Sequence, residues 1–252
     1  INNAGTGYSE QVSFTTNMPA FECGSSTVCD YDGNVYHTMR IGLQCWTKEN
    51  MRAEHFSDGT SIPHRNTQVS GNGIARYSPN NSAANVAAYG YLYTRRAALN
   101  NVDNSTAKPS GVQGVCPVGW HVPSMAEWNT LFSYVGSQIA YQCDNNSANI
   151  AVALASTTGW NSSMDSCAVG NSPEYNNATG FSAVPAGIWD HLNTYPVYQA
   201  FGNGAAFWST TLKDNRDYVY GYYLSFGGPF LSVTISTSSF KCNGASVRCL
   251  RD

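Results

Sequence analysis

At 252 residues the chain is long enough for one large domain or two smaller ones, each with an adequate core. Charged residues make up only 12% and aromatics 13%, with 16 tyrosines, a balance that suits a surface exposed outside the cell and not a cytosolic enzyme. A net charge of -3, with 13 Lys plus Arg and no basic run, leaves nothing to neutralise a row of phosphates and argues against nucleic acid as a partner.

The first 17 residues, INNAGTGYSEQVSFTTN, open on a turn-rich NNAGTG and then alternate Val12 and Phe14 against Gln11, Ser13 and Thr15, which predicts one exposed strand. This segment, with Tyr8, resembles the last hairpin of a fibronectin type III-like domain whose remainder is missing. A lone strand cannot pair its own backbone, so it needs a sheet from elsewhere. An expression boundary, trimming of a longer precursor, donation of the strand to a neighbouring copy, or simple extension of a sheet of its own domain would each account for it. Residues 1 to 18 are therefore read as an N-terminal strand and linker, and 19 to 252 as the main domain.

After Pro19, Asp32-Gly33-Asn34 signals a hairpin turn, followed by the alternating strand Val35, His37, Met39, Ile41. Asp30, Asp32 and Asn34 could also be read as a calcium loop, but the glycine offset is wrong and no Glu follows at the EF-hand distance, so a turn is expected. Residues 53 to 82 read as loop. Ala84 to Leu99 reads as a helix with Leu92, Tyr93, Arg96 and Leu99 on one face and Gly90 as its weak point.

The clearest local signal lies in Cys116 to Gly136, CPVGWHVPSMAEWNTLFSYVG. Ser124 and Glu127 form a capping box behind Pro123, and Trp128, Leu131, Phe132 and Val135 recur at helical spacing. Gly136 is the expected C-terminal cap. Residues 137 to 180 are rich in Asn and Ser and read as a surface insertion, the kind of segment in which partner specificity resides. Phe181, Val184 and Trp189 are expected to cover the core. A C-terminal antiparallel sheet follows, with Phe207 to Thr211, then Tyr218, Tyr220, Tyr222, Leu224 and Phe226 on one face of a strand and Val219 and Tyr223 on the other, then Leu231 to Ile235 and Ser246 to Leu250.

Eight cysteines without a zinc-like CxxC pair imply disulfides, and disulfides persist in an oxidising compartment. The working pairing is Cys23 with Cys29, Cys143 with Cys167, Cys116 with Cys249, and Cys45 with Cys242. Loops the size of Cys143 to Cys167 and Cys116 to Cys249 are worth about 3.5 and about 5 kcal/mol on the chain-entropy model. The chain contains no signal peptide, lipidation motif or apolar run of membrane-spanning length, and reads as the mature form of a secreted or surface protein.

DYDGNVYHTMRIGLQCWTKENMR, YGYLYTRRAAL, CPVGWHVPSMAEW, GFSAVPAG, FWSTT and SVRCLRD occur in that order. Together they resemble the Fibrobacter succinogenes major paralogous domain over about Cys29 to Asp252. The resemblance implies an α+β, C-type lectin-like fold with two helices and a mainly antiparallel sheet, more distantly like the formylglycine-generating enzyme fold. It also implies an address on secreted or surface proteins of Bacteroidota, and no particular reaction. The family usually carries a Trp where Arg95 stands, which leaves the outer contact of that helix open.

Chemistry is sparse. A calcium-dependent lectin site would need Glu-Pro-Asn or Gln-Pro-Asp and Trp-Asn-Asp, and neither occurs. The five histidines, His37, His55, His64, His121 and His191, form no HxH or HxxxH pair, and His121 between Trp120 and Val122 reads as structural. No nucleophile elbow, phosphate loop or carboxylate pair stands out, and Cys242 and Cys249 read as disulfide partners, not redox catalysts. The expectation is a non-enzymatic extracellular structural or adhesive protein without cofactor or metal, self-associating through the strand of Tyr8, Val12 and Phe14, or binding other surface proteins. The alternative is a calcium-independent module that binds glycans or proteins through Tyr218, Tyr220, Tyr222, Tyr223 and Trp189, because tyrosine rings stack on such surfaces. A tyrosine stripe that merely separates a wet from a dry sheet face is the plainer reading.

Overall fold

The computed structural model describes residues 20–66, 73–190, 197–213, 218–225, 231–235 and 244–252. The expected N-terminal strand with Tyr8, Val12 and Phe14, as well as Cys242, lies outside them. In chain order the strands of the first half are β1 (Thr27–Cys29), β2 (Val35–Ile41), β3 (Gln44–Thr47), β4 (Arg76–Tyr77), β5 (Leu92–Thr94) and β6 (Trp120–His121). Those of the second half are β7 (Ile188–Asp190), β8 (Val197–Gln199), β9 (Gly204–Lys213), β10 (Tyr218–Ser225), β11 (Leu231–Ile235), β12 (Gly244–Ala245) and β13 (Leu250–Arg251). The α-helices are α1 (Val86–Tyr89), α2 (Arg95–Leu99), α3 (Met125–Ser137) and α4 (Ala151–Leu154).

Three sheets result, ordered β1-β2-β3-β13-β6, β4-β5-β12-β7-β8 and β11-β10-β9, so the class is α+β. Among the described residues the paired strands run antiparallel. The C-terminal stretch links the first two sheets. β12 lies between β5 and β7, and β13, six residues on, lies between β3 and β6.

The helix α3 starts where the capping signal places it. Ser124 is extended at φ -78°, ψ 167°, and its N–H donates to the Glu127 carboxylate at 2.8 Å. Trp128, Leu131 and Val135 are buried in one core with Trp46, Phe181, Phe207 and Leu250, and Phe132 packs at its margin. Trp46 and Trp128 meet at 4.8 Å between ring centroids. Gly136, expected to end the helix, instead lies in its last turn, and a side chain there would come within 2.8 Å of the Ser147 carbonyl. The residue is small because the backbone of the following segment crosses against it.

The expected helix from Ala84 to Leu99 is two short helices with a strand between them. Gly90 at φ +73° breaks it, because a Cβ there would meet the Met51 carbonyl oxygen at 2.7 Å. Leu92 and Tyr93 then pair in β5, and Thr94 caps α2 by accepting from the Ala97 N–H. Tertiary packing of apolar residues overrides helical propensity in this stretch. Arg95 is not an outer residue. It is buried, donates to the carbonyls of Asp103 and Thr210, and its pKa is pushed down to about 10 by burial.

Two segments expected to be loop or surface contribute to the cores. Residues 53 to 82 hold β4 and bury Phe56, Ile62 and Tyr77. The 137 to 180 segment buries Ile150, Ala153, Leu154, Trp160 and Val169 against α3 and leaves Met164 and Tyr175 exposed.

Among the described residues three disulfides are present: Cys23–Cys45, Cys116–Cys249 and Cys143–Cys167, with Cα separations of 5.9, 5.8 and 5.7 Å. The last two are the expected pairs; the others are corrected. Cys29 ends the extended strand β1 opposite Val35 and is carried away from Cys23. The turn at Glu22–Ser26 folds against Thr38, whose hydroxyl accepts from the Gly24 N–H, while the β2–β3 hairpin brings Cys45 back opposite Arg40. Cys23 and Cys45 meet there, which leaves Cys45 unavailable to Cys242 and Cys29 exposed and unbonded to the other described cysteines.

Candidate functional site

The β1–β2 turn builds the most complete polar arrangement at a surface cavity. Asp30 accepts from the Asn34 backbone and side-chain N–H groups, each at 2.9 Å, and from the Tyr36 hydroxyl at 2.6 Å. Asp32 accepts from the backbone N–H groups of Glu54 and His55 at 2.6 and 3.0 Å and pairs with His55 Nδ1 at 2.5 Å. These carboxylates are consumed in fixing the turn and the neighbouring segment, which supports the turn reading of DYDGN. Burial works to raise the Asp32 pKa, but the bonds from His55 and the two N–H groups outweigh it and hold the carboxyl below its ordinary value.

A cavity of about 220 Å³ opens beside this turn, lined by Cys29, Asp30, Tyr31, His55, Ser57 and the Val115–Val118 stretch that contains Cys116. Its chemistry is mixed. The Cys29 thiol is exposed, the Tyr31 ring lies 5.6 Å from the His55 ring, and Val118 is 78% exposed at the rim. Asp32 holds the imidazole through Nδ1. No hydrogen bond joins the Cys29 sulfur to His55 among the described residues.

On the other side of the Glu54–His55 step, Glu54 pairs with buried Arg76 at 2.7 Å and accepts from the Tyr91 hydroxyl at 2.8 Å. Arg76 lies 4.9 Å over the Tyr91 ring. His64 bonds Ser78 at 3.0 Å, and burial with the nearby Arg76 charge holds its pKa below the usual value.

His121, flanked by Trp120 and Val122, lies in the interior. It is buried with Nε2 at 2.8 Å from Glu127 and Nδ1 bonded to Asp252, so it joins the start of α3 to the end of β13. Burial favours the neutral ring, but the two carboxylates prevail and raise its pKa. Arg248 is also buried, and burial lowers its pKa to about 9. Its acceptors among the described residues are neutral: Asn50 Oδ1 at 2.6 Å and the carbonyls of Thr47, Phe181 and Ser182 at 3.1, 2.7 and 2.9 Å. Its guanidinium stacks 4.6 Å from the Phe181 ring.

SVRC and GFSAV meet where Arg248 donates to the Phe181 and Ser182 carbonyls, and the family model of the Fibrobacter succinogenes major domain matches residues 39–251. The chain belongs to the Fibrobacter succinogenes major domain family. Neither the curated proteins nor the solved structures contain a match to it. Within this major domain the motif residues are interior ones: Trp120, His121, Glu127, Phe181, Trp208 and Arg248 are all buried.

The sequence-derived ligand residues fare differently. Trp189 is 0% exposed and stacks on Tyr77 at 4.1 Å, so it is a core residue and not a platform for a ligand. Tyr218, Tyr220, Tyr222 and Tyr223 lie on β10, paired to β9 and β11, and their side chains are outside the description. The register of β10 against β9 shifts between Val219 and Gly221, which interrupts the simple alternation expected for that strand. Cys249 is bonded to Cys116, so it is no free thiol. The cavity's grouping of Cys29 and Asp32 with His55 was not visible in the sequence, because His55 lies 23 residues from Asp32 with no fixed spacing.

Proposed function

We propose that this major domain belongs to an extracellular structural or adhesive protein of a bacterial surface, with a C-type lectin-like fold and self-association through the segment before Ala20. The observation that supports it is the placing of the three disulfides: one ties the N-terminal approach to β3, one joins the centre to the end of the domain, and one closes the long insertion. Cross-links of this reach hold a fold where no reducing system protects thiols, and they constrain the unfolded chain by several kcal/mol each. The interior polar groups support the same reading, since His121, Glu127 and Arg248 are spent on joining elements.

Deleting residues 1 to 17 and imaging the native protein by negative-stain microscopy tests the assembly. Loss of filaments or oligomers is expected, and unchanged assembly would remove the linkage role.

A second reading, a calcium-independent glycan- or protein-binding module, draws on Met164 and Tyr175, 98% and 82% exposed on the disulfide-closed insertion. Saturable binding on a glycan array that is lost on Tyr175→Ala, or on Tyr220→Ala with Tyr222→Ala, would favour it.

A further inference from the structure

His121 stands between two carboxylates, Glu127 of α3 at Nε2 and Asp252 after β13 at Nδ1. An ionised carboxylate only accepts, so both ring nitrogens must carry a proton to serve both, and the ring that fits this arrangement is the imidazolium. The neutral ring has one N–H and must give up one contact. The Glu127 side chain is 3% exposed and its other oxygen already accepts from the Ser124 N–H at 2.8 Å, whereas the Asp252 side chain is 54% exposed and can pass to water. Among the described residues no other charged group faces the ring: β3 brings the neutral Gln44, which donates to the Glu127 carbonyl at 2.9 Å, and Arg251 points to a different neighbour.

That neighbour is Phe21. The Arg251 guanidinium lies 3.6 Å over its ring, and the same ring packs edge-on against Trp120 at 6.0 Å. Trp120 and Arg251 are partners in the β6–β13 register, one step from the His121–Leu250 pair. Phe21 follows Ala20 directly and precedes Cys23, whose disulfide to Cys45 fixes the chain from there on. The hold on Asp252 therefore adjoins the hold on the point where the segment before Ala20 meets the domain.

We propose that His121, Asp252, Arg251 and Phe21 form a proton-operated clasp on the root of the segment before Ala20. With the ring charged, Asp252 is held and Arg251 stays over Phe21. When the ring loses its proton, Nε2–H stays on Glu127, the bare Nδ1 repels the Asp252 carboxylate, and the end of β13 loosens together with Arg251. The Asp252 N–H bond to the Gly119 carbonyl, at 3.2 Å, is left to hold that residue. Burial works to lower the His121 pKa, but the two carboxylates raise it above its ordinary 6.5, so the clasp is closed below that value and opens as pH rises through the raised one. As a control on self-association it rests on the linking role proposed for the segment before Ala20; the clasp itself is tested apart from that role.

The test uses the full chain at pH 6 and pH 9, native and Asp252→Asn. An asparagine can turn its oxygen to an Nδ1–H or its amide N–H to a bare Nδ1, so this exposed substitution keeps the clasp shut in both states. Hydrogen exchange, corrected for the chemical effect of pH, should show protection of peptides 20–28 and 246–252 falling about tenfold or more from pH 6 to pH 9 in the native chain, the weight of one hydrogen bond between charged groups, and not in Asp252→Asn. Nitrogen NMR of the ring should show both nitrogens protonated at pH 6 and Nε2 alone at pH 9. Equal protection at the two pH values, an equal fall in Asp252→Asn, a loss shared with α3 and β3 over the same labelling time, or a neutral ring protonated at Nδ1 would each overturn the clasp. In sedimentation the native chain should self-associate more at pH 9 than at pH 6, and Asp252→Asn equally at both. Native assembly independent of pH, with the opening seen by exchange, would overturn the control of assembly. Failure of the linking role shows differently, as assembly that survives deletion of residues 1 to 17, and leaves the exchange result standing.

Discussion

His121 is the residue whose surroundings dictate the clearest solution behaviour. Its folded pKa is raised by Glu127 and Asp252, so the charged ring contributes stability that is complete below the unfolded value near 6.5 and is lost as pH rises through the folded pKa. The urea midpoint should therefore fall between pH 6 and pH 9 in the native chain, and His121→Gln should flatten that slope while lowering stability at pH 6. An unchanged slope in the variant would assign the pH dependence elsewhere. Arg248 makes a separate prediction. Its planar fork meets three carbonyls and an amide oxygen at once, which an ammonium cannot copy. Arg248→Lys should cost about 2 kcal/mol and Arg248→Ala about 3 kcal/mol or more in chemical denaturation, because several buried acceptors lose their donor.

Among the elements, α3 and the Gly90 break set the position of everything around the cores. Trp128→Ala would open a cavity between Trp46, Phe181 and Phe207 and should cost about 3–5 kcal/mol. Gly90→Ala adds a side chain at a positive φ against the Met51 carbonyl, and a loss of about 2 kcal/mol is expected. Both are read from urea midpoints, and a neutral Gly90→Ala would mean that the α1–β5 corner is looser than described. These elements also show what was legible in the sequence. The start of α3 and its buried stripe were readable because capping and periodicity are local. Gly136 was misread because its smallness answers to Ser147, a contact no local pattern encodes. The Ala84–Leu99 stretch was misread for a related reason, since β5 forms through pairing with β4 and with β12 from the far end of the chain. The cavity at Cys29 stayed hidden because it depends on β1 carrying Cys29 away from Cys23, a matter of strand direction and not of cysteine spacing.

For the molecule as a whole, the cross-links and the C-terminal stretch act together. β12 and β13 belong to different sheets, and Cys249, between them, is bonded to Cys116 at the approach to α3. Severing that bridge with Cys116→Ser and Cys249→Ser should therefore cost more than severing Cys143–Cys167, about 5 against about 3.5 kcal/mol on the loop-entropy model, for sequence separations of 133 and 24. The extracellular structural proposal depends on these bonds existing in the native protein. Mass mapping of peptides from the native chain, alkylated and digested without reduction, tests that most directly. The account predicts Cys23–Cys45, Cys116–Cys249 and Cys143–Cys167 as linked peptides, with Cys29 outside all three. Recovery of these six cysteines as alkylated thiols, or of Cys23 linked to Cys29, would contradict it.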